Sequence, residues 1–431
     1  MKKHLLAIER FIKDESFSGV LLFIATLAAV MVANSSLSDN YFELWQTNLG
    51  ITLGDKTISM SLMHWINDGL MALFFLMVGL EIKRELLIGE LSSVKKASFP
   101  IIAAAGGMAI PALVYVAFNM DNPRGFGIPM ATDIAFALGI LMLLGKRVNP
   151  SLKVFLVALA VVDDLGAVIV VATVYTSEIH SEYFLYAALA YALVWILNLK
   201  KVTSLTPYLL LGIALWVFIH SAGVHATIAG VLLAFAIPIS SKVDEDSFIQ
   251  NTNESVDKFK KNIDDIPILN HYQIDALEDI AYNYEKVQNP LVKLEHRLHS
   301  FSAFFIMPLF AFSNAGVLLD FSAVTQNLTV VLGVVLGLII GKPIGIVGFT
   351  YLAHKLKIIT KPDNLSWSEI IAVGFLGGIG FTMSIFITHL AFLDQSMIDA
   401  VKLGIFFASF IAGVVGVLLI LKAHKNKNLL K

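Results

Sequence analysis

Long apolar runs recur along this chain so often that they decide its solvent before anything else. Runs able to cross roughly 30 Å of hydrocarbon fall near 17–34, 62–82, 98–119, 127–145, 152–175 and 182–199. Others follow near 205–220, 222–240, 297–318, 328–353, 367–390 and 399–421. They predict an all-α polytopic membrane protein of about twelve transmembrane helices, with the tightly joined runs at 205–240 open to another division. Composition agrees. Of 431 residues, 57% are hydrophobic and 15% charged, more apolar surface than water can carry. Lipid is the expected partner; a net charge of −2 gives no basis for nucleic-acid binding. The absence of cysteine excludes disulfides, thiolate metal sites and cysteine nucleophiles. Lys2, Lys3, Arg10 and Lys13 precede the first run as in a signal peptide, but Asp14 and Glu15 among them favour a first transmembrane helix.

Lysine and arginine set the orientation. With the N-terminus inside, cytoplasmic segments hold Lys83, Arg84, Lys95, Lys96, Lys146, Arg147, Lys153, Lys200, Lys201, Lys355, Lys357, Lys361 and the basic tail. The opposite side has Lys56, Arg124 and, at a helix mouth, Lys402. That asymmetry predicts cytoplasmic N- and C-termini. Two segments are not simple spans. Residues 44–60 read either as an external β-hairpin turning at Gly54-Asp55 or as an irregular loop. Residues 241–292 form a polar cytoplasmic insertion, with eleven Asp and Glu against five Lys before Leu291. It has helical patterning around Tyr272–Tyr284, and its polarity suggests a flexible or peripheral element.

A charge at the bilayer centre costs roughly 2.5–3.5 kcal/mol on insertion scales, so buried charges direct the search for function. Asp163 and Asp164 sit in VALAVVDDLGAVIVV, ten residues beyond Lys153, or about 15 Å of helical rise into the membrane. Adjacent helical positions point about 100° apart, so one carboxylate can face a water-filled cavity while the other leans on a neighbouring helix. Two such acids cannot both ionise cheaply, and their protons titrate as a coupled pair. Dehydrated Na⁺ prefers hard oxygen ligands, so proton and cation compete for the same groups. That competition is the minimum chemistry of exchange. Lys342, in IIGKPIG, is also near mid-depth; it pairs with an aspartate for function, neutralises one structurally, or does both.

Two spans carry signs of interruption. The run near 127–145 opens with Pro129 and Thr132-Asp133, and proline removes a backbone donor. The run near 367–390 contains Gly374, Gly377, Gly378 and Gly380, which either break the helix or let helices pack closely. These are the middle members of two three-span groups entering the membrane from opposite sides, the arrangement of inverted repeats with crossing broken helices around a transport site. Asp133 would offset the positive half-helix ends there and Lys342 the negative ones.

With these motifs assembled, the chain resembles the NhaA-type bacterial sodium/proton antiporters over nearly its whole length, the insertion excepted. The matching segments are HWINDGLMALFFLMVGLEIKREL, ATDIAFALGIL, ALAVVDDLGAVIV, GVHATIAGV, LEHRLH, PLFAFSNAGV, GKPIGI and GFLGGIGFTMSIFI. The resemblance implies electrogenic exchange of Na⁺ or Li⁺ for protons across the bacterial inner membrane, with no cofactor. It implies Asp163 and Asp164 as ion carriers, Thr132 and Asp133 at the helix crossing beside Lys342, and Asp68 as a further embedded acid. The residues alone would make Asp68 a cap or packing contact. Activation at alkaline pH is implied too, at Glu81, Arg84 and Glu85 and at Glu295, His296 and His299, with His225 contributing. An ordinary charged helix end, and for His225 a packing role, are the competing readings. The segment 44–60 matches the family's dimer contact and implies a homodimer.

The alternative carried forward is a sodium-coupled symporter of a small organic solute. An intramembrane metalloprotease would need HExxH, which is absent, and Ser221 with His225 is too weak a pair for a serine protease. The chain is expected not to be an enzyme.

Overall fold

The computed structural model describes residues 15–53, 56–176, 180–262 and 268–429. The turn expected at Gly54-Asp55 and the charged start before Glu15 lie outside these residues. Helix dominates. Among the described residues, seven helices are long and apolar enough to cross a membrane, or nine if each bent pair counts as one span. Twelve were expected. The shortfall has a local cause: Leu205–Ser221 has 17 residues, Ile228–Ala236 only nine, and Pro290–Asn314 begins with charged turns and passes through a π-helical stretch at Ser302–Ile306.

The helices differ in what surrounds them. Only 17% of the best window of Ser181–Leu199 is buried, and Phe184, Leu189 and Leu193 stand exposed, so this helix is peripheral and presents its apolar side chains to lipid. The Pro150–Val174 helix, called the aspartate helix below, is 61% buried in its best window and reaches the interior. Asn149 caps it by accepting from the Ser151 N–H, and Pro150 occupies the first helical position, where the missing donor costs nothing. The Leu328–Lys355 span, the lysine helix, is 67% buried. It widens into a π-helical stretch at Gly337–Gly341 immediately before Lys342.

Outside the spans, Asn48–Leu53 and Lys56–Ser61 pair antiparallel, Asn48 opposite Ser61 and Ile51 opposite Ile58. The insertion, read as flexible or peripheral, contains two helices, Glu245–Lys261 and His271–Val287. Asp244 caps the first and Asn270 closes a capping box with Gln273 on the second. Local capping thus orders a segment whose composition lacks a core of its own. The end of the pair is tied back by the Lys242 N–H donating to the Lys286 carbonyl and the Leu291 N–H to that of Pro238.

The lysine helix lies directly on the Val94–Phe118 helix. A Cβ at Gly345 would collide with the Gly106 carbonyl oxygen, and one at Gly106 with that of Gly345. Small residues let backbones meet this closely where no hydrophobic effect drives helices together. Gly345→Val should therefore cost about 1–3 kcal/mol through overpacking, measured as a lower unfolding temperature of detergent-purified protein. An unchanged temperature would mean that the seam yields easily.

Candidate functional site

The site is built where two interrupted spans meet the aspartate and lysine helices. In the first span, a 3₁₀ stretch at Pro123–Met130 runs into extended residues and then the Ile134–Leu143 helix. In the second, Trp367–Gly377 and Phe381–Ala391 are bent by 45° at the break. The expected half-helix before Thr132 is thus 3₁₀ rather than α, which fits Pro123 and Pro129 within it. The glycine run does both things open to it. The helix stops at Gly377, and a Cβ at Gly378 would strike the Leu338 carbonyl of the lysine helix. Past the break, Phe381 takes φ 21°, a conformation non-glycine residues adopt at a cost of order 1–3 kcal/mol where their surroundings enforce it.

Polar contacts knit the breaks together. The Asp133 N–H donates to the Ile379 carbonyl at 2.7 Å. Its carboxylate accepts from the Phe136 N–H at 3.0 Å on one oxygen, and from the Thr382 N–H at 3.1 Å and hydroxyl at 2.5 Å on the other. Asp133 therefore serves the N-termini of both half-helices, Ile134–Leu143 and Phe381–Ala391, as dipole compensation requires. Thr132 Oγ1 lies 2.9 Å from the Gly377 carbonyl, the C-terminal end of the opposing half-helix, and 2.8 Å from Asp163 Oδ2. Ser384 Oγ donates to the Ile128 carbonyl at 2.8 Å. Thr382 and Ser384 are site residues that sequence reasoning passed over. Their signal was present in GFTMS, hydroxyls directly after a glycine break.

Lys342 is fully buried, and its Nζ lies 2.5 Å from Asp163 Oδ2. This corrects the assignment of Lys342 to the negative half-helix ends: the ammonium goes to a full carboxylate charge, and Thr132 takes the Gly377 carbonyl. Asp163 Oδ1 is buried without a hydrogen-bond partner. Asp164, 4% exposed, makes no hydrogen bond among the described residues. Glu81 lies toward the far end of the Leu62–Leu87 helix, about one turn before Arg84 and Glu85.

At that end Arg84 Nε is 3.0 Å from both Glu295 carboxylate oxygens, and its guanidinium is 2.9 Å from buried Glu85. Glu85 also accepts from the Glu90 N–H at 2.8 Å. His296 and His299 follow on the same Pro290–Phe301 helix, both exposed. His296 and Arg297 line a cleft of about 700 Å³ shared with Glu245 and Glu285 of the insertion. His225 does not belong to this group. It lies in the non-helical segment between Leu205–Ser221 and Ile228–Ala236, where its Nε2 is 2.8 Å from the Tyr175 carbonyl. The GVHATIAGV segment breaks the helical run there, so proximity in function to the LEHRLH histidines was not a guide to place. Asp68 lies within a π-helical stretch, Trp65–Leu70, and faces His64 and His220. Lys402, expected at a helix mouth, is 3% exposed and 4.0 Å from Asp399.

Buried, paired charges at a crossing of broken apolar helices mark a multi-pass membrane protein with a candidate ion site in its interior. The family described as Na⁺/H⁺ antiporter 1 matches residues 9–420, and the chain belongs to that family. It is 64% identical over 427 residues to Na(+)/H(+) antiporter NhaA 1 of Aliarcobacter butzleri, covering 99% of both chains. Against Na(+)/H(+) antiporter NhaA of Wolinella succinogenes the identity is 51%, covering 94% of this chain and 91% of that one. The protein of the same name from Helicobacter pylori is 49% identical over 99% of this chain and 98% of its own. Among solved structures, the sodium proton antiporter MjNhaP1 from Methanocaldococcus jannaschii aligns with 97% of this chain and 99% of its own at TM-score 0.47 and 13% identity, a likeness that carries no argument here. The symporter alternative finds no support, since the family and these relatives are antiporters by description.

Removing one partner of a buried ion pair costs about 3–5 kcal/mol because the other charge is stranded. Lys342→Ala should therefore lower thermal stability more than the double variant Lys342→Ala/Asp163→Asn, which strands nothing. Equal or additive losses in a thermal unfolding series would show that the pair carries no coupling.

Proposed function

We propose that the chain is an electrogenic antiporter of the bacterial inner membrane, exporting Na⁺ or Li⁺ in exchange for proton entry. One observation carries this reading: Asp163, held by Lys342 through one oxygen and without a partner on the other, lies next in sequence to Asp164 at the helix crossing. In a low-dielectric interior each added positive charge must displace another. A dehydrated Na⁺ would take Asp164, the free Asp163 oxygen and the Thr132 hydroxyl as hard ligands. Its charge would displace one proton from Asp164 and a second from the Lys342 ammonium as it leaves Asp163, so that two protons exchange for one Na⁺ and the cycle moves net charge. Protonation would reverse those steps and return the site to its paired form. Asp133 and Thr382 hold the crossing, so movement of the breaks carries the site from one side to the other. Inverted three-span groups, 98–175 and 328–421, would supply the two exits.

The basic residues after Leu80, at Lys146 and Arg147, and in the tail favour cytoplasmic termini. On that orientation the Arg84–Glu295 network faces the cytoplasm and is the proposed seat of alkaline activation. His296 and His299 adjoin Glu295 on one helix. The paired strands Asn48–Leu53 and Lys56–Ser61 support a homodimer joined outside the cell.

In everted vesicles with a preformed proton gradient, added Na⁺ should collapse the gradient, and Asp163→Asn or Asp164→Asn should abolish the response. Wild-type protein that ignores Na⁺ across pH 6–9 would overturn the reading. Glu295→Gln removes one charge from the Arg84 network and should shift the pH profile of exchange while sparing its maximal rate. A profile unmoved by that change would separate the network from pH control.

A further inference from the structure

Among the described residues, one cluster of metal-ligating groups stands apart from the Asp163–Lys342 pair. His64 Nε2 is 3.0 Å and His220 Nδ1 3.5 Å from the same oxygen, Asp68 Oδ2. One ligand atom from each residue can be chosen so that all three lie within 4.8 Å of one another. His64 and Asp68 are four residues apart at the start of the Leu62–Leu87 helix. His220 comes from the last turn of Leu205–Ser221. We infer that His64, Asp68 and His220 form a binding site for a divalent transition-metal cation of the Zn²⁺ class.

The spacing carries the first part of the argument. Bonds of about 2.0–2.2 Å to Zn²⁺ set tetrahedral ligand atoms about 3.3 Å apart. The 3.0 and 3.5 Å separations to Asp68 bracket that edge, and the two imidazoles, within 4.8 Å of each other, need to draw together for a metal to enter. The donor set carries the second. Two imidazoles and one carboxylate leave a fourth position for water, the arrangement of an open zinc site. Alkali and alkaline-earth cations take all-oxygen shells, and soft Cu(I) favours thiolate or thioether, so the set selects borderline divalent ions.

The surroundings hold the ligands in place. Trp216 stacks on His220 at 5.6 Å with an interplanar angle of 8°, and its Nε1 donates to the Asp68 carbonyl at 3.0 Å. Trp65 stacks in turn on Trp216 at 6.0 Å. The π-helical stretch Trp65–Leu70 rotates Asp68 relative to a regular helix, and such stretches are frequent at functional sites. Access is open: the His64 side chain is 55% exposed and His220 31%, with Asp68 beneath them at 13%. A bound metal would bridge Leu62–Leu87 to Leu205–Ser221 at the molecular end away from Arg84.

The test is calorimetric titration of Zn²⁺ into the purified full chain in detergent. One saturable ion per chain is expected, and His64→Gln or His220→Gln should each weaken it by about tenfold or more, the loss typical of disturbing metal-site residues. His271→Gln removes the exposed His271–Asp275 pair and should leave the affinity unchanged. Cu²⁺ should quench tryptophan fluorescence in wild type, and Trp216→Phe should remove much of that quenching. Wild-type affinity retained by His64→Gln/His220→Gln, or no saturable binding by the wild type, would overturn the site. Both readouts are binding measurements, so they stand apart from the outcome of any sodium–proton exchange assay.

Discussion

Everything in the interior is arranged around one fully buried ammonium group. Lys342 is wholly buried and answers Asp163 at 2.5 Å. A pair like this is weak evidence of stability, because desolvation cancels much of the attraction. Its significance is that neither partner can change charge alone. Around it the structure provides a widened helix at Gly337–Gly341, a hydroxyl from Thr132 on the same carboxylate oxygen, and an adjacent acid, Asp164, that makes no hydrogen bond among the described residues. In the proposed exchange, those features make this pair the contact that an entering ion would disturb.

The crossing beside it obeys a simpler constraint. Four half-elements end inside the protein, and each leaves backbone groups that need partners. Asp133 accepts from the start of two of them and Thr132 donates to the end of a third. Breaking helices in a membrane is tolerable only because these side chains finish the hydrogen bonds that the helices leave off. Charge compensation and backbone satisfaction are here the same set of contacts.

Much of this was legible beforehand because charge in apolar sequence is rare. Asp133, Asp163, Asp164 and Lys342 announced themselves by their surroundings, and Pro129 and the glycine run marked the breaks. What was not legible depended on facing. Which aspartate takes the lysine is set by how two helices rotate against each other, and the π-helical stretch before Lys342 has no signature in residue periodicity. Thr382 was hidden because threonine is ordinary in a membrane helix until something buried accepts its proton. Lys402 read as a residue at a helix mouth; it is buried, and Asp399, one turn earlier on the same helix, is 4.0 Å from it. The span count suffered where apolar runs fold into short or kinked helices, since hydropathy measures composition and not straightness.

The contact between Gly106 and Gly345 has a mechanical meaning beyond its packing. At that contact the two backbones meet directly, with the Phe349 and Ile346 side chains packed against Gly106 and Gly107 beside it. A seam this close leaves the Val94–Phe118 and Leu328–Lys355 helices little room to slide past each other. In the proposed exchange cycle, helices packed this closely would move together and carry Lys342 with them. Rearrangement would then fall on surfaces where longer side chains interdigitate and can exchange neighbours.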